Sequence, residues 1–512
     1  MKILYIPLDE RPCNWTYPQM IAKLCPEIEF LVPSLDVLGQ KKTAAAIEPL
    51  WNWVEASAAS CDVFILSLEM LVYGGLLPSR LHQSSRDELL ARLNRVRDLK
   101  ERHPEALIFA SNLIMRTPHY DSSEEEPDYY ADFGQAIFRW GWLSDRHQRE
   151  GLNQADAQEL ETLTEKIPAE FLTDYRDRRQ KNIAVNLAAI DLVNQGIIDF
   201  LSIPQDDSAP YGFTAIDQSQ VIEKIIALRL QDTVHLYPGA DEVGCTLLAR
   251  AYHHLSKQSC KVYPLWSSVC GEQIIPLYED RPMGESLKSH ILAAGAQIVT
   301  SPDQADVILA INSAGKVMQE SWDQTQKDVT YSSFRNLRFF VEQIQQLSQQ
   351  GFKVAIADVA FANGGETELV QLLDDRALWD ELLAYGGWNT HCNTLGTVLA
   401  TAILGQDSNQ QEAIAFNKVH HLLEDWAYQA VIRMAMVKGY LPDIGTSYYD
   451  FANKDDQIHL EMKKRLMALW IKTLRKSFDS WEIQDLVVST PWHRMFEISL
   501  DFQLHKEMQV SH

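Results

Sequence analysis

The sequence predicts an α/β protein with a mainly parallel sheet in its amino-terminal domain. Short apolar runs of strand length alternate with stretches of helical periodicity along most of the chain, which is the order of β/α units. Some runs are apolar throughout, as in residues 62–68 (DVFILSL), and such strands are usually covered on both faces. Most runs end in a polar cluster, at the edge where parallel sheets bind ligands. A barrel-like sheet and an open Rossmann-like sheet fit this pattern equally.

The first half of the chain predicts six strands separated by helices. Residues 86–102 carry charges of both signs and predict a solvent-exposed helix. Residues 119–195 depart from the β/α order, because glutamates and then aromatic residues lead into polar helices. We expect a helical insertion there, either a lid or a helical pair packed on the sheet. The strands are predicted at residues 2–8, 29–32, 62–68, 106–111, 197–203 and 234–237, with other helices from about residue 17, at 41–57, at 214–230 and up to 255.

The second half predicts a smaller α/β region and a helical carboxyl-terminal region. The α/β region fits a Rossmann-like domain or the completion of a barrel. Its strands are predicted at residues 261–266, 273–276, 297–300, 306–311 and 353–357, and its helices at 279–294 and 333–348. From residue 409 the pattern is largely helical, and a final strand is predicted at 494–504. We therefore predict three regions: residues 1–258 with the insertion at about 119–195, residues 259–405, and residues 406–512.

Composition restricts the class of protein and its partners. With 512 residues, 46% hydrophobic and 23% charged, the chain exceeds one ordinary core and has the profile of a soluble globular protein. Its formal net charge of −24 argues against nucleic-acid and anionic membrane partners. No apolar run reaches the ~18 residues of a membrane helix, and the amino terminus does not resemble a signal peptide. Seven scattered cysteines without a CxxC pair predict reduced thiols in the cytoplasm and no zinc–cysteine site.

The principal candidate site is the segment QDDSAPYG at residues 205–212, directly after a predicted strand. Asp206 and Asp207 are costly at a strand end unless they are hydrated, paired, bound to a metal or used in chemistry. Two close carboxylates split their titrations, which makes acid and base roles available together. The alternative is a turn, which Asp-Asp-Ser also favours. Glu242, in PGADEVG at residues 238–244, is the third predicted catalytic residue, and Asp241 beside it is also suited to helix capping.

Further polar residues follow other strand ends or lie in glycine loops, and we expect them to bind substrate. Arg80 and Arg116 would balance the charge of an acidic pocket or bind an anionic substrate group, with internal ion pairing as the alternative. Asparagine amides beside an indole ring are suited to sugars, although core packing explains the tryptophan as well. The predicted substrate-binding residues are Asp9, Arg11, Glu69, Arg80, Arg116, Tyr211, Asp241, Asn363, Trp388, Asn389 and Asn393.

Acidic residues at several strand ends support three functional hypotheses. The first is an intracellular hydrolase, a glycosidase above all, in which Asp206, Asp207 and Glu242 act on a small polyol or sugar-like substrate without a cofactor. The second is a hydrolase or phosphotransfer enzyme that depends on Mg²⁺ or Mn²⁺. The third is a non-catalytic protein that binds a small polar ligand. HExxH, Walker A and Gly-x-Ser-x-Gly motifs are absent from the sequence, and the sequence leaves the oligomeric state open.

Six motifs together resemble one protein family. They are LDERP at residues 8–12, GGLLPSR at 74–80, EEPDYYADFG at 125–134, QDDSAPYG at 205–212, PGADEVG at 238–244 and GGWNTHCNTLG at 386–396. In order and spacing the set is similar to the bacterial domain-of-unknown-function family 4127 (DUF4127), from residue 1 to about residue 504. The resemblance implies one full-length bacterial protein and assigns no catalytic residue.

Overall fold

The computed structural model describes residues 1–506, and the chain folds into two compact units. Unit 1 comprises Met1–Glu10, Glu29–Leu247 and Tyr278–Asp280, and unit 2 comprises Arg11–Ile28, Leu248–Leu277 and the chain from Arg281 onward. Helix α1 (Pro12–Ala22) therefore belongs to unit 2 although it follows the first strand of unit 1.

Unit 1 is built on an open sheet of six parallel strands. They are β1 (Lys2–Ile6), β2 (Glu29–Leu31), β3 (Val63–Ser67), β4 (Leu107–Ser111), β5 (Phe200–Gln205) and β6 (Val234–Pro238). Their order is β2-β1-β3-β4-β5-β6, with β2 and β6 at opposite edges. This is the order of a doubly wound sheet, so the open form and not the barrel is found. The predicted α/β class with a mainly parallel sheet is confirmed.

The register of the central strands brings their carboxyl ends level with one another. Ser67 of β3 pairs with Ser111 of β4, and Ser111 pairs with Ser202 of β5. The chain after β4 then continues beside the end of β5, where Ile114 forms a bridge with Gln205. Side chains that follow these three strands are therefore collected at one edge of the sheet, although they are far apart in the sequence.

The helices of unit 1 cover this sheet and extend the connection between β4 and β5. They are α2 (Ile47–Ser57), α3 (Leu76–Leu81), α4 (Arg86–Arg102), α5 (Tyr130–Glu150), α6 (Gln154–Lys166), α7 (Ala169–Asn194), α8 (Phe213–Leu228) and α9 (Val243–Ser256), which begins in unit 1, together with a π-helical turn at Glu69–Tyr73. Helix α4 has the predicted bounds, and Ser85 and Glu88 form a capping box at its start.

Unit 2 contains a second parallel sheet with the same kind of strand order. Its strands are β7 (Lys261–Trp266), β8 (Gln297–Ile298), β9 (Val307–Ser313), β10 (Gln319–Glu320), β11 (Lys353–Val359), β12 (Phe361–Ala362), β13 (Ala384–Gly386), β14 (Trp481–Ser489) and β15 (Ser499–Lys506). The main sheet has the order β13-β11-β9-β7-β8, while β10 pairs with β12 and β14 forms an antiparallel pair with β15. The first strand of this main sheet, β7, lies inside the sheet, and later strands are added on both sides of it. The main sheet is therefore doubly wound, like that of unit 1.

The carboxyl-terminal part of unit 2 is largely helical, as predicted. The helices that follow α9 in unit 2 are α10 (Met283–Ala293), α11 (Thr330–Ser333), α12 (Leu337–Gln349), α13 (Thr367–Asp375), α14 (His391–Gly405), α15 (Gln411–His421), α16 (Arg433–Ala435), α17 (Leu441–Asp443) and α18 (Asp455–Thr473), with π-helical segments at Leu422–Ile432 and Met436–Tyr440. The long π-helical segment follows α15 directly. Segments of this kind are uncommon and often mark functional sites. No helix within residues 1–506 is long and apolar enough to cross a bilayer.

Candidate functional site

Two arginines and four carboxylates form one ion-paired group at the carboxyl edge of the sheet in unit 1. We call this group the acid–arginine cluster, and its members are Arg80, Arg116, Glu125, Glu126, Asp206 and Asp207. Two of these residues follow β5, one follows β4 and one lies in α3, the short helix that follows β3. The level strand ends thus bring together four residues that the sequence identified as candidates.

Arg80 binds three of the carboxylates from the buried side of the cluster. Its Nη2 donates to Oδ2 of Asp206 at 2.6 Å. Its Nη1 donates to Oε2 of Glu125 at 3.1 Å and to Oε1 of Glu126 at 3.3 Å. The Arg80 side chain is only 2% exposed, so these carboxylates provide the counter-charge that a buried guanidinium requires.

Arg116 binds the same two glutamates and the second aspartate. Its Nη2 and Nε donate at 2.8 Å to Oε2 of Glu125 and Oε1 of Glu126, respectively. Its Nη1 donates to Oδ2 of Asp207 at 3.2 Å. Each glutamate therefore bridges both arginines, whereas each aspartate is bound by a different arginine.

The cluster has a buried base and an open rim. The side chains of Arg80 and Glu126 are almost completely buried, while those of Asp206, Asp207 and Glu125 are 19%, 25% and 19% exposed. Two guanidinium groups face four carboxylates, so the cluster has an excess negative charge of two when all its members are ionised. The open rim is therefore suited to hydroxyl, ammonium or metal-ion groups.

The two aspartates have similar chemistry but different electrostatic surroundings. Burial raises the pKa of Asp206, the charge of Asp207 raises it further, and Arg80 and Arg116 oppose this shift. Burial also raises the pKa of Asp207, against the charges of Arg116 and Arg80. Asp207 has a left-handed backbone with φ of 44°, which few non-glycine residues adopt and which is often found at functional sites. Both pKa shifts are therefore upward, and the charge of Asp207 contributes to that of Asp206.

Helix α7 supports the loop that carries Arg116. Arg179 donates from Nη1 to the carbonyl of Arg116 at 3.0 Å and from Nη2 to that of Met115 at 2.7 Å. The Tyr175 hydroxyl donates to the Arg116 carbonyl at 3.1 Å, and Asn182 donates to the carbonyl of Ser79 beside Arg80. Helix α7 therefore packs against the strand ends and positions the backbone on both sides of the cluster.

Glu125 and Glu126 are cluster members that sequence reasoning did not identify. Their segment is held by Lys41, whose Nζ contacts Oε2 of Glu124 at 2.6 Å, and by Lys42, whose Nζ donates to the Glu126 carbonyl at 3.2 Å. The available signal was the run of glutamates at residues 124–126, but such runs usually belong to solvated loops. Their arginine partners are distant in the sequence, so no local pattern indicates the pairing.

Glu69 was predicted to bind substrate, and the structure gives it an enclosed position. Its Oε1 accepts hydrogen bonds from Nδ2 of Asn112 at 2.7 Å and from the backbone N–H of Leu113 at 2.8 Å. The residue is 2% exposed, and burial raises the pKa of its carboxyl to about 7. These bonds connect the end of β3 to the chain that follows β4.

We expect Glu69→Gln to remove a pH dependence of stability. Because the folded-state pKa of about 7 exceeds the ordinary value of 4.5, the folded protein holds a proton that the unfolded chain has lost. The free energy of unfolding of the wild type therefore falls as pH rises from 4.5 to 7. A glutamine oxygen can still accept from Asn112 and Leu113, while its amide can donate to Ser67. At pH 8 the variant should be more stable by on the order of 3 kcal/mol, and the difference should vanish near pH 4.

Urea unfolding at pH 4, 6 and 8 measures this effect. Glu161→Gln is the matched control, since Glu161 is exposed on α6 and its replacement should leave the pH profile unchanged. Equal pH profiles for Glu69→Gln and the wild type would show that the Glu69 carboxyl is ionised in the fold.

The other candidates in unit 1 are Glu242, Asp9, Asp241 and Tyr211. Glu242 accepts at Oε2 from the backbone N–H of Ala240 at 2.9 Å, and its carboxyl group lies over Gly239, where a Cβ would be 2.4 Å from Oε1. Asp9 and Asp241 are buried. The Tyr211 hydroxyl donates to Oε1 of Glu150 at 2.6 Å, so this side chain faces helix α5.

The remaining candidates, Arg11, Asn363, Trp388, Asn389 and Asn393, belong to unit 2. Asn363 donates from Nδ2 to Glu320 at 2.9 Å, and its backbone N–H donates to the carbonyl of Asn389. Both asparagines have positive φ, 57° and 63°, which asparagine tolerates in turns. The backbone N–H of Asn393 donates to the side chain of Thr390 at the start of α14.

Trp388 and Arg11 lie beside aromatic side chains of unit 2. The Trp388 ring makes edge contacts with Tyr17 and Phe496 at centroid distances of 6.4 and 6.1 Å. Arg11 lies over the Trp492 ring at 4.8 Å. These positions fit the core-packing interpretation of the tryptophan and give Arg11 an aromatic neighbour.

A second group of polar residues, which sequence reasoning missed, lies around the π-helical segment of unit 2. His421 and Asp425 contact each other through Nδ1 and Oδ2 at 3.0 Å, and the backbone N–H of Gly387 donates to the same Oδ2 at 2.8 Å. Within the described residues, Nε2 of His421, Oε2 of Glu424, Oδ1 of Asp425 and Nε of Arg433 are buried without a hydrogen-bond partner. Buried polar groups are rarely left in this state, so the group is a candidate ligand site.

The fold and these sites define a class: a two-unit α/β protein with doubly wound parallel sheets and ionisable groups at the carboxyl edge of one of them. The chain belongs to the family described as "Protein of unknown function (DUF4127)", whose family model matches residues 3–501. The resemblance found in the six sequence motifs is thereby confirmed. A search of curated proteins found no match to this chain.

Proposed function

We propose that unit 1 is a carboxylate-dependent hydrolase that acts on a polyol or sugar-like substrate, as glycosidases do. One observation carries the proposal: Asp206 and Asp207 are partly open to solvent at the carboxyl edge of an open parallel sheet, each bound by a different arginine. Ligands of such sheets bind at this edge. Glycoside hydrolysis requires two carboxyl groups in unlike protonation states, and two close carboxylates tend to split their titrations.

In this proposal Asp206 is the general acid and Asp207 the ionised partner. Asp206 would protonate the leaving oxygen, a role that the upward shift of its pKa by burial and the neighbouring charge supports. Asp207, bound by Arg116, would activate water or stabilise a cationic transition state. Glu242 follows β6, the strand next to β5, and is the proposed third member.

The open rim of the cluster supports a polyhydroxylated substrate. Carboxylate oxygens of Glu125 and the two aspartates accept hydrogen bonds from hydroxyl groups. Tyr120 is 39% exposed, and its phenol interacts electrostatically with the charge of Arg116. That charge lowers the pKa of the phenol, while burial and the carboxylates raise it, with a net upward shift. An exposed ring beside acidic groups is suited to the C–H face of a sugar.

A dependence on Mg²⁺ or Mn²⁺ is the second candidate, and a specific observation favours it. Among residues 1–506, Oε2 of Glu126 is buried without a hydrogen-bond partner, and the cluster has an excess of negative charge. Oxygen atoms of Glu125, Glu126 and the two aspartates would hold the ion. A bound ion would polarise the leaving oxygen.

Hydrolysis of a panel of nitrophenyl glycosides by the purified full-length protein tests the proposal. The variants are Asp206→Asn and Asp207→Asn, with Asp232→Asn as matched control because Asp232 is an exposed aspartate between α8 and β6. We expect nitrophenol release by the wild type and the control, and a loss of about 10²–10⁴-fold in the two cluster variants. Treatment with EDTA should leave the activity unchanged.

Other outcomes separate the three hypotheses. Activity that EDTA abolishes and Mg²⁺ restores would select the metal-dependent enzyme. A sugar that raises the melting temperature without being converted would favour a binding protein. Turnover by Asp206→Asn and Asp207→Asn at the control rate would contradict the roles given to the pair.

We also propose a cytoplasmic location and a small polar molecule as the partner. Within the described residues none of the seven cysteines forms a disulfide, which supports a reducing compartment. The net charge of −24 supports a partner other than nucleic acid.

A further inference from the structure

Among the residues that the structure describes, Arg433 is a buried cation without an acidic partner. The residue is 2% exposed, and its Nη1 donates to the carbonyl of Phe496 at 3.3 Å. Within residues 1–506 its Nε has no hydrogen-bond acceptor, and no carboxylate oxygen lies within 4 Å of its guanidinium nitrogens. A buried guanidinium in this state loses its hydration without gaining a counter-charge, which is strongly unfavourable.

Two aromatic rings hold the guanidinium group of Arg433. Its Cζ lies over the Trp322 ring at 5.2 Å and over the Phe496 ring at 5.7 Å. Rings on the faces of a guanidinium stabilise its charge and restrict its plane. The N–H groups at its edge remain available for a ligand, and this edge matches the oxygens of a carboxylate or a phosphate.

Two acids of unit 2, Glu497 and Glu424, have partners other than this arginine. Arg494, which lies over the same Phe496 ring at 4.9 Å, binds both oxygens of Glu497 at 3.2 and 3.3 Å. Arg11 also approaches Glu497, at 3.8 Å. Burial and the charge of Asp425 raise the pKa of Glu424 well above its ordinary value, and the Gln429 amide donates to Oε1 of Glu424 at 3.0 Å.

We propose that Arg433 is the anchor of an oxyanion-binding site in unit 2, which binds the carboxylate or phosphate group of a small molecule. The observation that carries the site is the buried Nε of Arg433, and Arg494 lies over the same Phe496 ring. The site lies at the end of the π-helical segment Leu422–Ile432, a kind of segment often retained for ligand binding. The site is in unit 2, whereas the acid–arginine cluster is in unit 1. A test of this proposal therefore does not depend on the outcome for the hydrolase proposal.

Thermal unfolding of the full-length protein in added sodium phosphate or sodium acetate tests this site. Ionic strength is held constant with sodium chloride. Chloride is the control anion, because it lacks the paired oxygens that a guanidinium group can bind. We expect phosphate, acetate or both to raise the melting temperature of the wild type, by on the order of 5 °C at saturation. A shift with phosphate alone identifies a phosphate site, and a shift with acetate alone a carboxylate site. No shift with either anion would overturn the proposal.

Arg433→Gln should weaken binding of the active anion at least about tenfold. The matched control is Arg338→Gln, because Arg338 is an exposed arginine of the same unit and its loss should leave the affinity unchanged. Equal affinity of Arg433→Gln and the wild type would overturn the assignment. If Arg433→Gln does not fold, wild-type crystals soaked in phosphate decide: an anion bonded to Nε of Arg433 supports the site, and water alone at that nitrogen overturns it.

Discussion

Replacing Arg335 by Met is expected to destabilise the protein by about 3–5 kcal/mol, the loss typical of a broken buried ion pair. Arg335 and Glu366 are both almost fully buried, and Arg335 binds both carboxylate oxygens of Glu366. Without the guanidinium, Glu366 keeps Lys327 at 2.7 Å and the amide of Asn312 at 2.9 Å, which does not replace a bidentate contact. Urea unfolding followed by tryptophan fluorescence measures the loss.

The pH dependence of this loss identifies its cause. In the wild type, burial raises the pKa of Glu366, but Arg335 and Lys327 outweigh burial, so the net shift is downward. The stabilisation from Glu366 is therefore present above its unfolded pKa and is lost as pH falls through its folded pKa. In Arg335→Met the effect of burial on the pKa of Glu366 is no longer opposed by Arg335. The free energy of unfolding of this variant should therefore rise as pH falls and Glu366 takes up a proton.

Two further variants test whether the charge of Glu366 is responsible. Arg335→Met combined with Glu366→Gln should be more stable than Arg335→Met alone, because the buried charge has been removed. Arg338→Met, which changes an exposed arginine close by in the sequence, should have little effect. Equal losses from Arg335→Met and Arg338→Met would mean that the pair contributes no more than a surface contact.

The sequence was sufficient for the fold class because its signals are local. Helix α4 could be predicted at its observed bounds, since a capping box and charges of alternating sign occur within the helix itself. Of the strand pair β14 and β15, only β15 (Ser499–Lys506) was predicted, at residues 494–504. Burial alternates along much of β14 (Trp481–Ser489), and this period-two pattern was the signal that would have found it. The strand predicted at residues 273–276 is absent, and a 3₁₀ turn at Gly271–Gln273 leads into that stretch instead.

The candidate site was predictable in part, for a physical reason. Asp206, Asp207, Arg80 and Arg116 could be identified because strand ends in a parallel sheet collect polar side chains. The pairing of Arg80 with Glu125 depends on the insertion between β4 and β5, and no local periodicity encodes it. Likewise, π-helical geometry has no sequence period of its own, so the polar group around Arg433 could not be found from pattern.

The two sheets share a strand order but use their carboxyl edges differently. In unit 1 that edge carries ionisable groups that remain partly exposed, and this combination is typical of sites that exchange protons or ligands. In unit 2 the residues after β9 and β11 form a closed network, in which Asp358 accepts from Asn312 and from the hydroxyl of Tyr385. Burial and the charge of Glu366 raise the pKa of Asp358 to about 7. The same topology therefore supports an open site in one unit and a structural network in the other.

Replacing Arg116 by Met is expected to cost about 3–5 kcal/mol and to release the glutamate segment at residues 124–126. Glu126, whose side chain is 1% exposed, would keep a single contact to Arg80, at 3.3 Å. Asp207 would lose its arginine contact, at 3.2 Å, so the proposed ionised carboxylate would lose the charge that opposes its protonation. Urea unfolding measures the first effect, and faster proteolytic cleavage within residues 119–129 measures the second.

Two controls separate this effect from that of an ordinary surface ion pair. Arg102 and Glu55 are 48% and 35% exposed and pair at 3.0 Å, so Arg102→Met should cost less than about 1 kcal/mol. Arg116→Lys keeps the charge but not the planar fork, and it should fall between Arg116→Met and the wild type. If Arg116→Met costs as little stability as Arg102→Met, water already screens the charges of the cluster. Its aspartates would then have ordinary acidities, and the division into an acid and an ionised partner would lose its physical basis.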